Sequence, residues 1–343
     1  MKKLLNTLFI NQSDSYLALD GGNVLVKADD QVLGRVPLHN LEGIVAFGYT
    51  GASPALMGHC AENGIALTFM TKHGRFLARV IGESRGNVVL RKTQYRRSDD
   101  ETASTRLARN FILGKLYNQK WMLERMTRDY PLRLDVERFK STSQEMTETM
   151  REIQVCENLE RLRGLEGTIA VRYNRLFDSM ILQQKEDFHF KGRTRRPPLD
   201  RVNAMLSFAY SLLARDVSAA LEAVGLDAYV GFLHRERPGR ASLALDMMEE
   251  LRGIYAERFV LSLINKKVIQ GKDFLQKENG AVIMTENGRK TFLTAWQKKK
   301  QETIQHPYLK EKMMWGLVPY AQALLLARHL RDDLEAYPPF LYK

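Results

Sequence analysis

The chain carries only two cysteines, Cys60 and Cys156, far apart in its 343 residues. Two thiols without a CxxC spacing exclude a disulfide framework and a thiolate-cluster zinc centre, and they suit a reducing, cytoplasmic setting. Both read as buried free thiols. No uncharged apolar run approaches the roughly 18 residues that a bilayer span needs, so no transmembrane helix is expected. The opening Met1-Lys2-Lys3-Leu4-Leu5-Asn6-Thr7-Leu8-Phe9-Ile10 is broken by Asn6 and Thr7 and lacks a small-x-small site. It reads as a first β-strand rather than a signal peptide. Internal repeats are missing too. Apolar residues at 44% and charged residues at 27% support a sizeable core and exclude wholesale disorder or a collagen-like chain.

What the chain has in excess is positive charge. Lys and Arg number 52 against 40 Asp and Glu, for a net +12. The excess is uneven: residues 1–90 hold 8 basic and 7 acidic residues, whereas residues 91–343 hold 44 and 33. An anionic partner is expected, and it should engage the later region. The length is beyond a usual single core and predicts two domains.

Residues 1–90 read as mostly strand. Tyr16–Leu19 and Val24–Val26 flank Asp20-Gly21-Gly22-Asn23, a tight hairpin signal. Gly21-Gly22 lacks the lysine and the strand-to-helix context of a phosphate loop. Ser53-Pro54 reads as N-cap and first position of a short helix ending near Asn63-Gly64. Residues 91–100, polar and strongly charged, read as a linker. Helical periodicity then runs over 101–128, 138–155, 158–184, 201–224, 243–265, 285–303 and 313–334. Between them, 185–200 must be a loop, since Pro197-Pro198 blocks helix continuation. The expected fold is therefore α+β: a β-rich domain at 1–90, a linker at 91–100 and a larger all-α domain at 101–343.

His234 lies where the apolar Gly231-Phe232-Leu233 meets the charged turn Arg235–Arg240. A helix follows, with Ser242 as expected N-cap, and it places Asp246, Glu249 and Glu250 at i, i+3 and i+4. Like charges so clustered repel, and a bound cation reverses that cost. The bland alternative is a solvated acidic face compensated by Arg252 or Arg240. Glu166 sits in Gly164-Leu165-Glu166-Gly167 near a helix start, and spacing does not select it over Glu160. Arg193, Arg195 and Arg196 are expected to form a mobile cationic loop, and Arg172, Arg175, Arg235, Arg237 and Arg240 lie close in sequence to the acidic candidates. Acidic residues for cations beside arginines for phosphate oxygens suit metal-dependent phosphodiester chemistry.

These segments together carry a resemblance. Glu166 in Leu-Glu-Gly, Asn203–Leu213, Gly231–His234 and Ser242–Arg252 are similar, in order and spacing, to the CRISPR-associated adaptation integrase family, "CRISPR-associated protein one". The β-rich start matches that family's amino-terminal domain, and Leu8–Gly22 resembles its subtype I-C branch. The resemblance implies a metal site of Glu166, His234 and Glu249, with Asp246 in supporting contact. It leaves open whether Asp246 or Glu249 is the more direct ligand, with Glu250 third. Two carboxylates and one imidazole suit Mg²⁺ or Mn²⁺. The resemblance also implies an endonuclease and integrase that joins 3′-hydroxyl ends of captured double-stranded DNA to a CRISPR repeat by transesterification. It implies a homodimer working with a small second adaptation protein, with Arg240, Arg237, Arg193, Arg195, Arg196 and Arg172 on the DNA.

Overall fold

The computed structural model describes residues 7–12, 14–29, 31–71, 76–82 and 87–343. Strands β1 (Thr7–Ile10), β2 (Tyr16–Asp20), β3 (Asn23–Ala28), β4 (Gln31–Pro37), β5 (Gly43–Phe47) and β6 (Gly51–Ala52) precede helix α1 (Pro54–Glu62). After it come β7 (Ala66–Met70) and β8 (Phe76–Arg79). Helices α2 (Val88–Asp99), α3 (Glu101–Asp129), α4 (Val136–Gln154), α5 (Leu159–Phe177), α6 (Arg201–Ala223) and α7 (Ser242–Leu251) follow. Helix α7 continues through a π-helical turn, Arg252–Glu257, into α8 (Arg258–Asn265). Two short ribbons frame the last helices: β9 (Phe274–Gln276) with β10 (Val282–Met284) before α9 (Glu286–Gln301), and β11 (Thr303–Gln305) with β12 (Lys312–Met314) before α10 (Val318–Leu330).

The chain divides into two compact units. The first takes residues 1–86 together with Met284–Thr303 and Met314–Leu317. One sheet has the order β1-β5-β7-β8, with β1, β5 and β7 parallel and β8 antiparallel. A second has the order β4-β3-β2-β6, and its β2–β3 hairpin turns at Gly21 and Gly22, φ 52° and 80°. Such positive φ values favour glycine, which explains the pair. Ser53 caps α1 by accepting from the Leu56 amide, with Pro54 at the first position. The core joins Leu17, Val24, Ile44, Leu56, Cys60 and Leu67. Burial pushes the Cys60 thiol up to about 11, so it stays protonated and inert. Helix α9 belongs here as well: Arg289 donates to Asn11 Oδ1 at 3.1 Å and lies over the Phe47 ring.

The second unit takes Asn87–Ile283, Ile304–Met313 and Val318–Lys343. Side chains cap its helices as the sequence dictates: Asp100 for α3, Asp135 for α4, Asn158 for α5 and Asp200 for α6. The 29-residue α3 is the spine, packed against α4, α5 and α7.

Three expectations are corrected. The linker expected at 91–100 is helical, most of it in α2, and sits in the second unit. Its inward face is Leu90 and Gln94, so an amide replaces the apolar residue that periodicity would register. The later region is not all-α, since it contains the two ribbons. The domains are also not contiguous, because α9 returns to the first unit. Among the described residues, no helix is long and apolar enough to cross a membrane.

Candidate active site

Helix α7 carries the acidic trio, and all three side chains are buried, which overturns the solvated-face alternative. They also diverge. Asp246, fully buried, accepts the amides of Phe232, Leu233 and His234 at 2.6, 2.9 and 3.0 Å. Its Oδ1 lies 2.6 Å from His234 Nδ1. A carboxylate acceptor fixes the Nδ1–H tautomer and leaves the Nε2 lone pair for a cation or proton. Asp246 thus positions His234. Gly231 permits this approach, because a Cβ there would come within 2.8 Å of Asp246 Oδ2. Ser242 is not the N-cap; it is the first helical residue, and Ala241 occupies the cap without a side-chain bond.

The His234 loop is held from two further helices. Gln94 of α2 donates to the carbonyls of Asp227 and Val230, both at 2.8 Å, and accepts the Asp227 amide. Ser98 donates to the Gly231 carbonyl at 2.8 Å. On α5, Arg163 Nε donates to the Leu233 carbonyl at 3.0 Å. Gln94, Ser98 and Arg163 are therefore supporting residues that sequence reading missed. A polar segment with one amide on its inward face gave no distinct signal.

Glu166 and Glu249 meet at Lys115 of α3. The ammonium of Lys115, whose side chain is 5% exposed, pairs with Glu166 Oε1 and lies 2.7 Å from Glu249 Oε2. Arg252 pairs with the other Glu249 oxygen at 2.7 Å. Burial pushes the Glu249 carboxyl up, but Arg252 and Lys115 outweigh it and hold the carboxyl well below the usual carboxylate range. Glu160, the rival of Glu166, is exposed and pairs with Arg163 and Arg235 on the surface. Lys115 was legible in principle: it falls in the stripe of Leu107, Phe111 and Met122 that α3 turns to the core. A lysine buried in such a stripe is almost always paired.

Glu250 faces the other way. It accepts from Tyr337 Oη at 2.6 Å, the Phe340 amide at 2.5 Å and Gln322 Nε2 at 3.1 Å. Burial pushes its carboxyl up to about 8, although those donors pull the other way. It is a structural acid, not a member of the Glu166 group.

The arginines divide similarly. Arg193 is no mobile loop residue: it donates to Asn203 Oδ1 at 2.7 Å and Ser207 Oγ at 3.0 Å, which explains the Asn203–Ser207 motif. With Arg195, Lys115 and Arg252 it lines a cavity of about 170 Å³ beside Glu166. Arg196 and Arg237 are exposed, and Arg240 donates to Ser242 Oγ and the Arg235 carbonyl. Arg172 lies on another face of α5, 3.7 Å from Glu145, and does not join that cavity.

Among the described residues, no three His, Cys, Asp or Glu side chains converge as a metal-holding group. The structure instead pairs His234 with Asp246 and joins Glu166 to Glu249 through Lys115. The donor types fit a hard divalent ion. The carboxylate pair is already a cation site, filled by the chain's own ammonium.

A mixed α/β unit and a mainly helical unit, with a buried carboxylate pair clasped by a lysine beside a cationic cavity, define a two-unit α+β protein. The chain belongs to the CRISPR associated protein Cas1 family, whose model matches residues 8–298. A CRISPR-associated endonuclease Cas1 of Chlorobaculum tepidum is 48% identical over 343 residues, covering 100% of both chains. A casposase bound to integration product has the same fold, with TM-score 0.84, 23% identity, and coverage of 98% of this chain and 94% of that one. A Cas6-RT-Cas1–Cas2 complex matches at TM-score 0.81 and 21% identity, covering 98% of this chain and 36% of the other.

Proposed function

We propose that this chain is the metal-dependent DNA integrase and endonuclease of CRISPR adaptation, of a subtype I-C-like kind. The observation that carries the reading is the carboxylate pair Glu166 and Glu249 clasping a cation beside a cavity walled by Lys115, Arg193, Arg195 and Arg252. The family and the endonuclease relative support it. The neighbour bound to an integration product and the neighbour containing Cas2 supply the substrate and partner side of the proposal.

Glu166, His234 and Glu249 would hold Mg²⁺ or Mn²⁺, and Asp246 holds His234 in the tautomer that presents Nε2. Such an ion would supply charge neutralisation at the phosphate and alignment of the exchanging oxygens. The 3′-hydroxyl oxygen of incoming double-stranded DNA forms a new bond to phosphorus. The repeat's bridging P–O bond breaks, and the displaced 3′ oxygen takes up a proton in place of the one the attacking hydroxyl lost. Arg193 and Arg195 contact the DNA backbone near the reacting phosphate. Arg240, Arg237, Arg196 and Arg172 contact it further out. The β-rich unit contributes to a homodimer and to DNA contacts, the assembly includes a small second adaptation protein, and the protein acts in the cytoplasm.

An integration assay on a supercoiled plasmid with leader and repeat tests this. Glu166→Ala and His234→Ala should each abolish joining of a 3′-hydroxyl DNA end while leaving thermal unfolding close to wild type. Joining at the normal rate by either variant contradicts the assignment.

A further inference from the structure

We propose that Lys115 couples DNA binding to cation binding: its ammonium alternates between the Glu166–Glu249 pair and a phosphate group held in the adjoining cavity. This rests on the metal-dependent DNA reading above and deepens it.

Three observations carry the idea. First, Lys115 belongs to both places. It touches the two carboxylates, and it also lines the cavity with Arg193, Arg195, Arg252, Tyr210 and Asn174. Second, the cavity is walled by cations, with Lys115, Arg193, Arg195 and Arg252 all among its lining residues. Arg193 Nε and Arg252 Nε are buried with no hydrogen-bond partner, whereas the large majority of buried side-chain polar atoms are satisfied. Both guanidinium groups lie over the Tyr210 ring, at 5.3 and 4.6 Å, which fixes their planes. Glu257, also on the cavity wall, accepts from the hydroxyls of Tyr210 at 2.7 Å and Tyr173 at 2.8 Å. Third, the size is right for one group. At about 170 Å³ the cavity lies below the roughly 300 Å³ where small-molecule sites begin, and it suits one phosphodiester rather than a whole nucleotide.

Lysine suits this role. Its charge is a point on a flexible four-carbon stem with three rotatable donors, whereas a guanidinium would lock bidentately onto the carboxylates. While Lys115 sits between Glu166 and Glu249 it satisfies them and excludes a second cation. A phosphate in the cavity offers the ammonium another anion within the reach of the same side chain. The carboxylates are then free for a divalent ion, and by linkage each ligand tightens the other equally.

The test is Mn²⁺ affinity, read by electron paramagnetic resonance on the full chain with and without a short 3′-hydroxyl DNA duplex. DNA should tighten Mn²⁺ binding to the wild type about tenfold, within the usual range of coupling between sites. In Lys115→Met, Mn²⁺ should bind the DNA-free protein about tenfold tighter than wild type, and DNA should add less than about twofold. Lys115→Arg should weaken Mn²⁺ binding, and it decides the matter if the methionine variant does not fold. Coupling undiminished in Lys115→Met overturns the proposal, as does weaker Mn²⁺ binding by that variant or unchanged binding in Lys115→Arg. A Glu166→Ala control separates the two levels. If it binds Mn²⁺ as tightly as wild type, the metal reading itself fails, whatever Lys115 does.

Discussion

The two sides of helix α7 treat adjacent glutamates in opposite ways. On one side Glu249 meets Lys115 and Arg252 and is held ionised; on the other Glu250 meets a tyrosine, an amide side chain and a backbone amide and is pushed up to about 8. Burial is similar for both, so the partners decide. Positive neighbours keep a buried carboxylate charged, whereas neutral donors cannot repay its desolvation. A charged buried acid is a reagent, and a neutral one is a structural fitting. The sequence Glu-Glu conceals that division of labour.

The comparison is sharpened most by Glu249→Gln. Removing the charge that pairs with Lys115 should lower strand joining about a thousandfold, since such electrostatic contributions amount to several kcal/mol. Glu250→Ala should leave the chemistry groups in place but cost about 3 kcal/mol, because Tyr337, Gln322 and the Phe340 amide lose a buried acceptor. Urea unfolding reads that loss. Equal effects of the two substitutions on stability and on joining would erase the distinction. Asp246→Asn should reduce joining about 10- to 100-fold, as loss of a residue that orients a ligand does. A joining rate equal to wild type would mean that the Asp246–His234 bond has no positioning role.

The smallest expected effect concerns pH. Glu250 has a folded-state value raised above the ordinary carboxyl value of 4.5. Its contribution is complete below that ordinary value, declines above it, and is lost as pH rises through about 8. Wild-type stability should fall by about 2 kcal/mol between about pH 6.5 and 9 from this group, and Glu250→Gln should remove that fall. Parallel pH curves for the two proteins would show that Glu250 is not the neutral member.

What was legible in the sequence was local. Ser53-Pro54 and Gly21-Gly22 encode their helix start and hairpin in neighbouring residues, and the long helices of the second unit follow from periodicity. Turn chemistry and helix spacing brought out His234 and Asp246, which pair at 2.6 Å, whereas the choice of Glu249 over Glu250 came from the family resemblance. What stayed hidden was long-range. Glu160 and Glu166 share a helix, and only the packing of α3 on α5 gives Lys115 to one and solvent to the other. Helix α9 has an ordinary amphipathic pattern, and its place in the first unit depends on Arg289 reaching Asn11, far away in sequence. Helix α2 was misread because Gln94, the residue that secures the His234 loop, is an amide turned inward.

The π-helical turn Arg252–Glu257 acts as a phase slip in one long helix. An α-helix advances about 100° per residue, and a π turn accommodates one residue too many for that repeat. The face that α7 presents to Lys115 and the face that α8 buries, through Phe259, Val260 and Ile264, are thereby out of step. Chemistry upstream and packing downstream are set by separate rotational frames along one rod. Excising a single residue from the turn would restore an unbroken α repeat and leave the face that α8 buries close to its present orientation.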